Sequence, residues 1–243
     1  MSMSMSMSVS VSVSAAASAP VAWIRPGQAG YIGPDLGVDL HAASVGVLTV
    51  GLDAPFIVET PQHGAITARS FYAPARAPHR VVAPEGRILL LFTDSGASPL
   101  DDGLERDLIA ACRHGADPGV LQYLAAACPR STADRRIRRV VDEIHDDPSR
   151  ILRAEQSAQG AGMSTAYFLR MFARHTGTTF RRYQQWNRLL EAARGIAAGH
   201  TLTRCAADAG FASPSHLSDT FHETLGTTAT TVLGSRVRFV LDA

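Results

Sequence analysis

A chain of 243 residues, 46% hydrophobic and 19% charged, can bury one large or two small cores and is too apolar for wholesale disorder. No stretch approaches 18 uninterrupted apolar residues, which excludes a membrane-spanning helix. The formal net charge of +1 hides a split: residues 1–130 carry 8 Arg against 11 acidic side chains, residues 131–243 carry 15 Arg against 11, and Lys is absent. Two modules with different partners are implied, the basic one suited to a polyanion. Three cysteines (Cys112, Cys128 and Cys205) form no C-x-x-C pair, which argues against a disulfide scaffold or a cysteine-built zinc site and fits a reducing cytoplasm.

Residues 1–20 alternate Met or Val with Ser and lack both the basic start and the apolar run of a secretory signal. They read as a disordered low-complexity tail or a mis-assigned start rather than a strand. Residues 21–100 are short apolar runs cut by Gly and Pro. Strands are expected over 38–41, 45–51, 56–59, 65–71, 79–82 and 87–93, a texture of antiparallel sandwich or small barrel.

From residue 101 the period becomes helical. Helices over 104–114 and 118–127 form either a connector, 101–130, or the last helices of the first domain. Residues 131–235 then read as successive helices over 134–145, 151–159, 164–175, 180–198, 202–209 and 214–224, leaving 236–243 as a tail. The first of these buries Ile137, Val140, Val141 and Ile144 and exposes Arg135, Arg136, Arg138 and Arg139.

Within that region one shape occurs twice. Residues 158–172 and 206–221 each run short helix, Gly turn, apolar residue, Ser cap, then a helix with apolar residues at i and i+4, and each ends in Gly, at Gly177 and Gly226. Small residues in the first helix and Gly in the turn allow the close, steep crossing of a helix-turn-helix. The intervening helix spans about 28 Å at 1.5 Å per residue, so two projecting helices could enter major grooves about one DNA turn apart.

These residues resemble the DNA-binding domain of the AraC/XylS family of bacterial transcription regulators. The resemblance rests on Gly162-Met163-Ser164 through Phe172, Thr176 to Phe180 with Tyr183, Ala206-Ala207 through Gly210-Phe211, and Ser213 to Phe221 with Gly226. It implies a double helix-turn-helix that binds double-stranded DNA sequence-specifically and controls transcription. The β-module ahead of it resembles the family's cupin-type sensor domain, giving an α+β chain: cupin-like antiparallel β-sandwich or barrel, short helical connector, all-α reader. Further partners compatible with such a regulator are a small-molecule effector, RNA polymerase and a second copy in a homodimer. The chain departs from the family pattern at Ser157, usually a core Leu, at Asp219, commonly basic, and at Ala229, commonly Pro.

Matching the family helix places Ala166, Leu169 and Arg170 of the first unit, and Pro214, Ser215 and Asp219 of the second, at base-reading positions. Arg170 alone can bind a guanine through two hydrogen bonds, with phosphate or solvent as its other destinations. Ala166 and Leu169 suit thymine methyls. Asp219 can accept from cytosine N4 or pair locally with an Arg. Arg174, Arg181 and Arg182 are the phosphate candidates. In the β-module His41, His63 and His79 are scattered, so no metal, cofactor or catalytic site is expected, and His79 is the candidate polar contact of an effector pocket. The other reading open from the sequence is a small-molecule-binding or catalytic cupin with a helical appendage that does not read DNA.

Overall fold

The computed structural model describes residues 19–94, 102–112, 134–234 and 236–241. Eight strands come first: β1 Val21–Arg25, β2 Gln28–Gly33, β3 Gly46–Gly51, β4 Phe56–Thr60, β5 Gly64–Ala68, β6 Ser70–Ala73, β7 Arg80–Val82 and β8 Ile88–Thr93. They are followed by α1 Asp102–Cys112, α2 Arg135–Asp146, α3 Ala154–Gly160, α4 Thr165–Thr176, α5 Phe180–Ala197, α6 Leu202–Asp208, α7 Pro214–Leu225 and α8 Ala229–Gly234, and by β9 Arg238–Leu241. An N-terminal β-sheet domain is thus followed by a C-terminal α-helical domain.

One sheet has six strands in the order β6-β3-β8-β2-β1-β9, the other three in the order β5-β4-β7, and neither closes into a barrel. Strand period explains their packing: successive side chains point to opposite faces. Ile88, Leu90 and Phe92 of β8 join Phe56, Val58 and Val81 of the small sheet in one apolar cluster. Leu89 and Leu91 face the other way, where Leu108 and Cys112 of α1 cover them. Both faces of β3 and β8 are therefore buried.

The strand expectations need four corrections. Residues 38–41 form no strand; only His41 bridges to His79. Val21 to Gly33, not expected as strands, form the β1–β2 hairpin, turned at Pro26-Gly27 with Gly27 at φ +76°. The run 65–71 is two strands in different sheets, broken at Arg69, whose carbonyl accepts from Gly51 N and whose guanidinium reaches the Leu52 carbonyl. The segment read as a C-terminal tail supplies β9, parallel to β1 with Val21 opposite Arg238. Of the two connector helices, α1 packs on the six-stranded sheet, and 118–127 lies outside the described residues, as does 1–18.

Helix starts follow the sequence closely where a helix carries its own cap. Asp134, Ser164, Thr179, Thr201 and Ser213 each accept from a backbone N–H of the first turn of α2, α4, α5, α6 and α7.

Candidate nucleic-acid interface

The two turns are built the same way. Met163 N donates to Ala158 O and Phe211 N to Ala206 O, across Gly162 at φ +65° and Gly210 at φ +70°. This closure of a helix end needs a left-handed residue, which glycine adopts without a Cβ clash. Ser164 and Ser213 then start α4 and α7, and Gly177 and Gly226, both left-handed, stop them. Phe168 and Phe172 are wholly buried under α4, Leu217 and Phe221 under α7, which fixes the outward faces.

Those faces carry the residues singled out in the sequence. Ala166, Leu169 and Arg170 are exposed together along α4, with Arg174 one turn further on. On α7 Ser215 and Asp219 are exposed and Pro214, the first helical residue, is half-buried. Asp219 makes no salt bridge among the described residues, so the local Arg pair considered for it is not formed. Arg181 is exposed and Arg182 half-buried at the start of α5. One residue was missed: Tyr167, 41% exposed beside Ala166, with the Arg170 guanidinium 5.9 Å from its ring centroid. An aromatic on the polar face of an amphipathic helix was the signal for it.

The strut between the units is α5, 18 residues and about 27 Å long. Two of its side chains brace one unit each. Gln184 accepts from Leu152 N at 2.7 Å and donates to Leu152 O, holding the chain that leads into α3. Arg188 donates to the carbonyls of Ala209 and Gly210 and lies over the Phe211 ring, holding the second turn. Neither residue stood out in the sequence, since each binds backbone distant in the chain.

The helical domain is joined to the sheets by buried contacts. Trp186 Nε1 donates to Gly27 O at 2.9 Å, and its ring stacks on Phe92 with centroids 5.5 Å apart. The Tyr183 hydroxyl donates to Asp94 and meets His145 Nε2 at 2.7 Å. Asp39 N donates to Gly226 O, and Asp39 Oδ2 lies 3.3 Å from His222 Nε2. Between sheet and helices lies an apolar recess of about 110 Å³, walled by Ile24, Tyr31 and Phe92 on one side and by Trp186, Leu190 and Phe221 on the other.

His79, the expected effector contact, lies elsewhere. It is buried, with Nδ1 against Ala77 O and its ring 4.7 Å from that of His41, beside a void of only about 20 Å³. Burial lowers the pKa of His79 and pushes that of His41 down to about 4, helped by the neighbouring His79 and His222 charges. Both rings are neutral at pH 7. Among the described residues no three His, Cys, Asp or Glu side chains group to hold a metal ion, and no helix is long and apolar enough to cross a membrane.

Residues 157–235 match a family model described as a helix-turn-helix domain. No curated protein matches the chain. Among solved structures, apo ToxT of Vibrio cholerae aligns with a TM-score of 0.58 at 11% identity, covering 87% of this chain and 98% of ToxT. Wild-type ToxT bound to an unsaturated fatty acid aligns at 0.54 and 9% identity, covering 88% and 93%. ToxT bound to (E)-4-(8-methylnaphthalen-1-yl)but-3-enoic acid aligns at 0.51 and 10%, covering 89% and 98%. Identities this low show a shared fold. Residues 157–235 thus form a helix-turn-helix domain with two such units, set behind an N-terminal β-sheet domain in the fold shared with ToxT.

Proposed function

We propose that α4 and α7 enter successive major grooves on one face of duplex DNA, and that a small lipophilic molecule in the recess between sheet and helices modulates the complex. The observation that carries the first part is the pair of identically turned and capped motifs fixed to the two ends of one helix. In this reading Arg170, Ala166 and Leu169 contact bases from α4, and Pro214, Ser215 and Asp219 from α7. Arg174, Arg181 and Arg182 contact phosphates, since guanidinium groups flanking a reading helix fix its register on the backbone.

The second part rests on the lining of the recess, where apolar side chains of both domains meet beside the Tyr31 hydroxyl, bonded to Pro34 O. The ToxT structures with a fatty acid or a naphthalenyl butenoic acid bound show a related fold holding such molecules. The two facing sheets support a cupin-like sensor module, with boundaries at residues 21–100 for the sensor, 101–130 for the connector and 131–235 for the reader. A homodimer and a contact with RNA polymerase are further partners in this reading, and a cytoplasmic location suits them.

The test is selection of bound sequences from random duplex DNA, followed by mobility shifts at two salt concentrations. Binding to selected duplex that falls steeply with salt is expected, because phosphate contacts release counterions. Absence of any selected sequence overturns the reading.

A further inference from the structure

A second concavity, of about 370 Å³, lies between α2 and α3. Its floor is Ser157, Gly160 and Ala161, three residues with little side-chain bulk. Its rim is basic: Arg136, Arg139, Arg150 and Arg153 against one carboxylate, Glu143. Arg150 pairs with Glu143 at 3.1 Å and Arg136 with Asp134 at 2.8 Å. Arg139 and Arg153 are exposed and make no ion pair among the described residues. Two uncommitted guanidinium groups therefore face a hollow whose small-residue floor leaves space for an anion.

The hollow is continuous with the reading face of the first unit. The Arg136 guanidinium lies close enough to Tyr167 to interact with it electrostatically, and Tyr167 carries Arg170 over its ring. Arg136 and Tyr167 thus link the basic rim to Arg170 on α4. In a docked helix-turn-helix the first helix, here α3, crosses the DNA backbone while the second enters the groove. We propose that the α2–α3 recess is a third DNA-contact surface, which takes a backbone phosphate outside the groove entered by α4, with Arg139 and Arg153 as its ligands. The proposal rests on the reading of α4 as a DNA reader and extends the footprint beyond both reading helices.

The experiment compares the full chain with the double variant Arg139→Ala/Arg153→Ala, and with Arg139→Lys/Arg153→Lys, on a selected duplex. Long duplexes and duplexes trimmed by several base pairs from either end are used. On the long duplex the Ala variant should lose on the order of tenfold in affinity, and the slope of log K against log salt should shrink by about two. Preference among core sequences should be unchanged, and the Lys variant should recover most of the affinity. Trimming one end should weaken the wild-type chain and erase its advantage over the Ala variant; trimming the other end should preserve that advantage. An advantage that survives trimming at both ends marks the recess as a site for some other anion and overturns the proposal. So does equal binding of wild-type and Ala chains to the long duplex. A wild-type chain that selects no DNA overturns the double-reader function itself, and this surface with it.

Discussion

The first helix-turn-helix unit buries Phe168 and Phe172 against Phe180 and Tyr183, in a cluster drawn wholly from residues 137–183. The second buries Leu217 and Phe221 in a cluster that also contains Ile24, Tyr31 and Phe92 of the six-stranded sheet. Both units have the same turn, caps and length of second helix, so local sequence does not separate them. What separates them is what lies beneath. The first stands on its own aromatic core, with T-shaped ring pairs 5.0 to 5.3 Å apart. The second stands on the six-stranded sheet, and the apolar recess lies in that foundation. A ligand entering the recess acts directly on the seat of α7 and only through α5 on α4.

Breaking the shared foundation should have the largest effect. Trp186 is 1% exposed, stacks on Phe92 and bonds to Gly27. Trp186→Ala should cost about 3–5 kcal/mol of stability, measured by denaturant unfolding, since it opens a cavity and leaves the Gly27 carbonyl unpaired. It should also impair contacts from α7 more than those from α4. A cost below about 1 kcal/mol would show that sheet and helices are separately stable.

Glycine substitutions sharpen the same contrast. Gly162 and Gly226 have nearly equal positive φ, 65° and 66°, but different surroundings. A Cβ at Gly162 meets nothing, whereas one at Gly226 would lie 2.6 Å from both Asp39 O and His41 Nδ1. Gly162→Ala should cost about 1–2 kcal/mol, the left-handed penalty alone. Gly226→Ala should cost more and shift the loop that carries Asp39; equal costs would mean that the contact between α7 and the β-domain is loose. The same junction gives a pH dependence. His41 and His79 are held neutral by burial, with Asp39 and His222 facing them, so their folded-state pKa values lie below the unfolded value of about 6.5. Their contribution to stability is complete above that pH and declines as pH falls toward about 4. Thermal unfolding of wild-type and His41→Phe chains from pH 7.5 to 4.5 should show a shallower decline for the variant.

The helical half was legible in the sequence because its signals are local: a Ser or Thr cap, a Gly stop and Phe or Leu at i and i+4 all fall within a dozen residues. The outward faces followed, since burying Phe168 and Phe172 leaves Ala166, Leu169 and Arg170 no other direction. The hairpin β1–β2 was not legible. Val21 to Ile24 are all buried, because both sheet faces are covered, so the alternation that reveals a strand is missing. The strand β9 and the Trp186–Gly27 and Tyr183–Asp94 bonds join residues far apart in the chain, and no periodicity reports such partners. The arginine recess escaped for the same reason: its rim and floor come from three separate segments.

The remaining predictions concern the outward faces of α4 and α7, and they test whether the difference in foundation is matched by a difference in reading. Arg170 is exposed, and its position over the Tyr167 ring limits the freedom lost when it binds. A bidentate contact to guanine supplies about 1–3 kcal/mol of discrimination, so Arg170→Ala should weaken binding by that amount and relax preference at one base pair. On α7 the equivalent stretch offers Ser215, which has little base preference, and Asp219, with Glu223 one turn on. A carboxylate that faces phosphates opposes binding, and one that accepts from cytosine N4 favours it. Ser215 and Pro214 add nothing that would compensate for the repulsion. Asp219→Ala should therefore leave affinity for the selected site unchanged or raise it slightly, at the same salt concentration used for Arg170→Ala. In that case α4 reads the sequence and α7, seated on the six-stranded sheet, mainly sets where the duplex lies. A larger loss from Asp219→Ala than from Arg170→Ala would reverse the assignment and make the sheet-supported unit the principal reader.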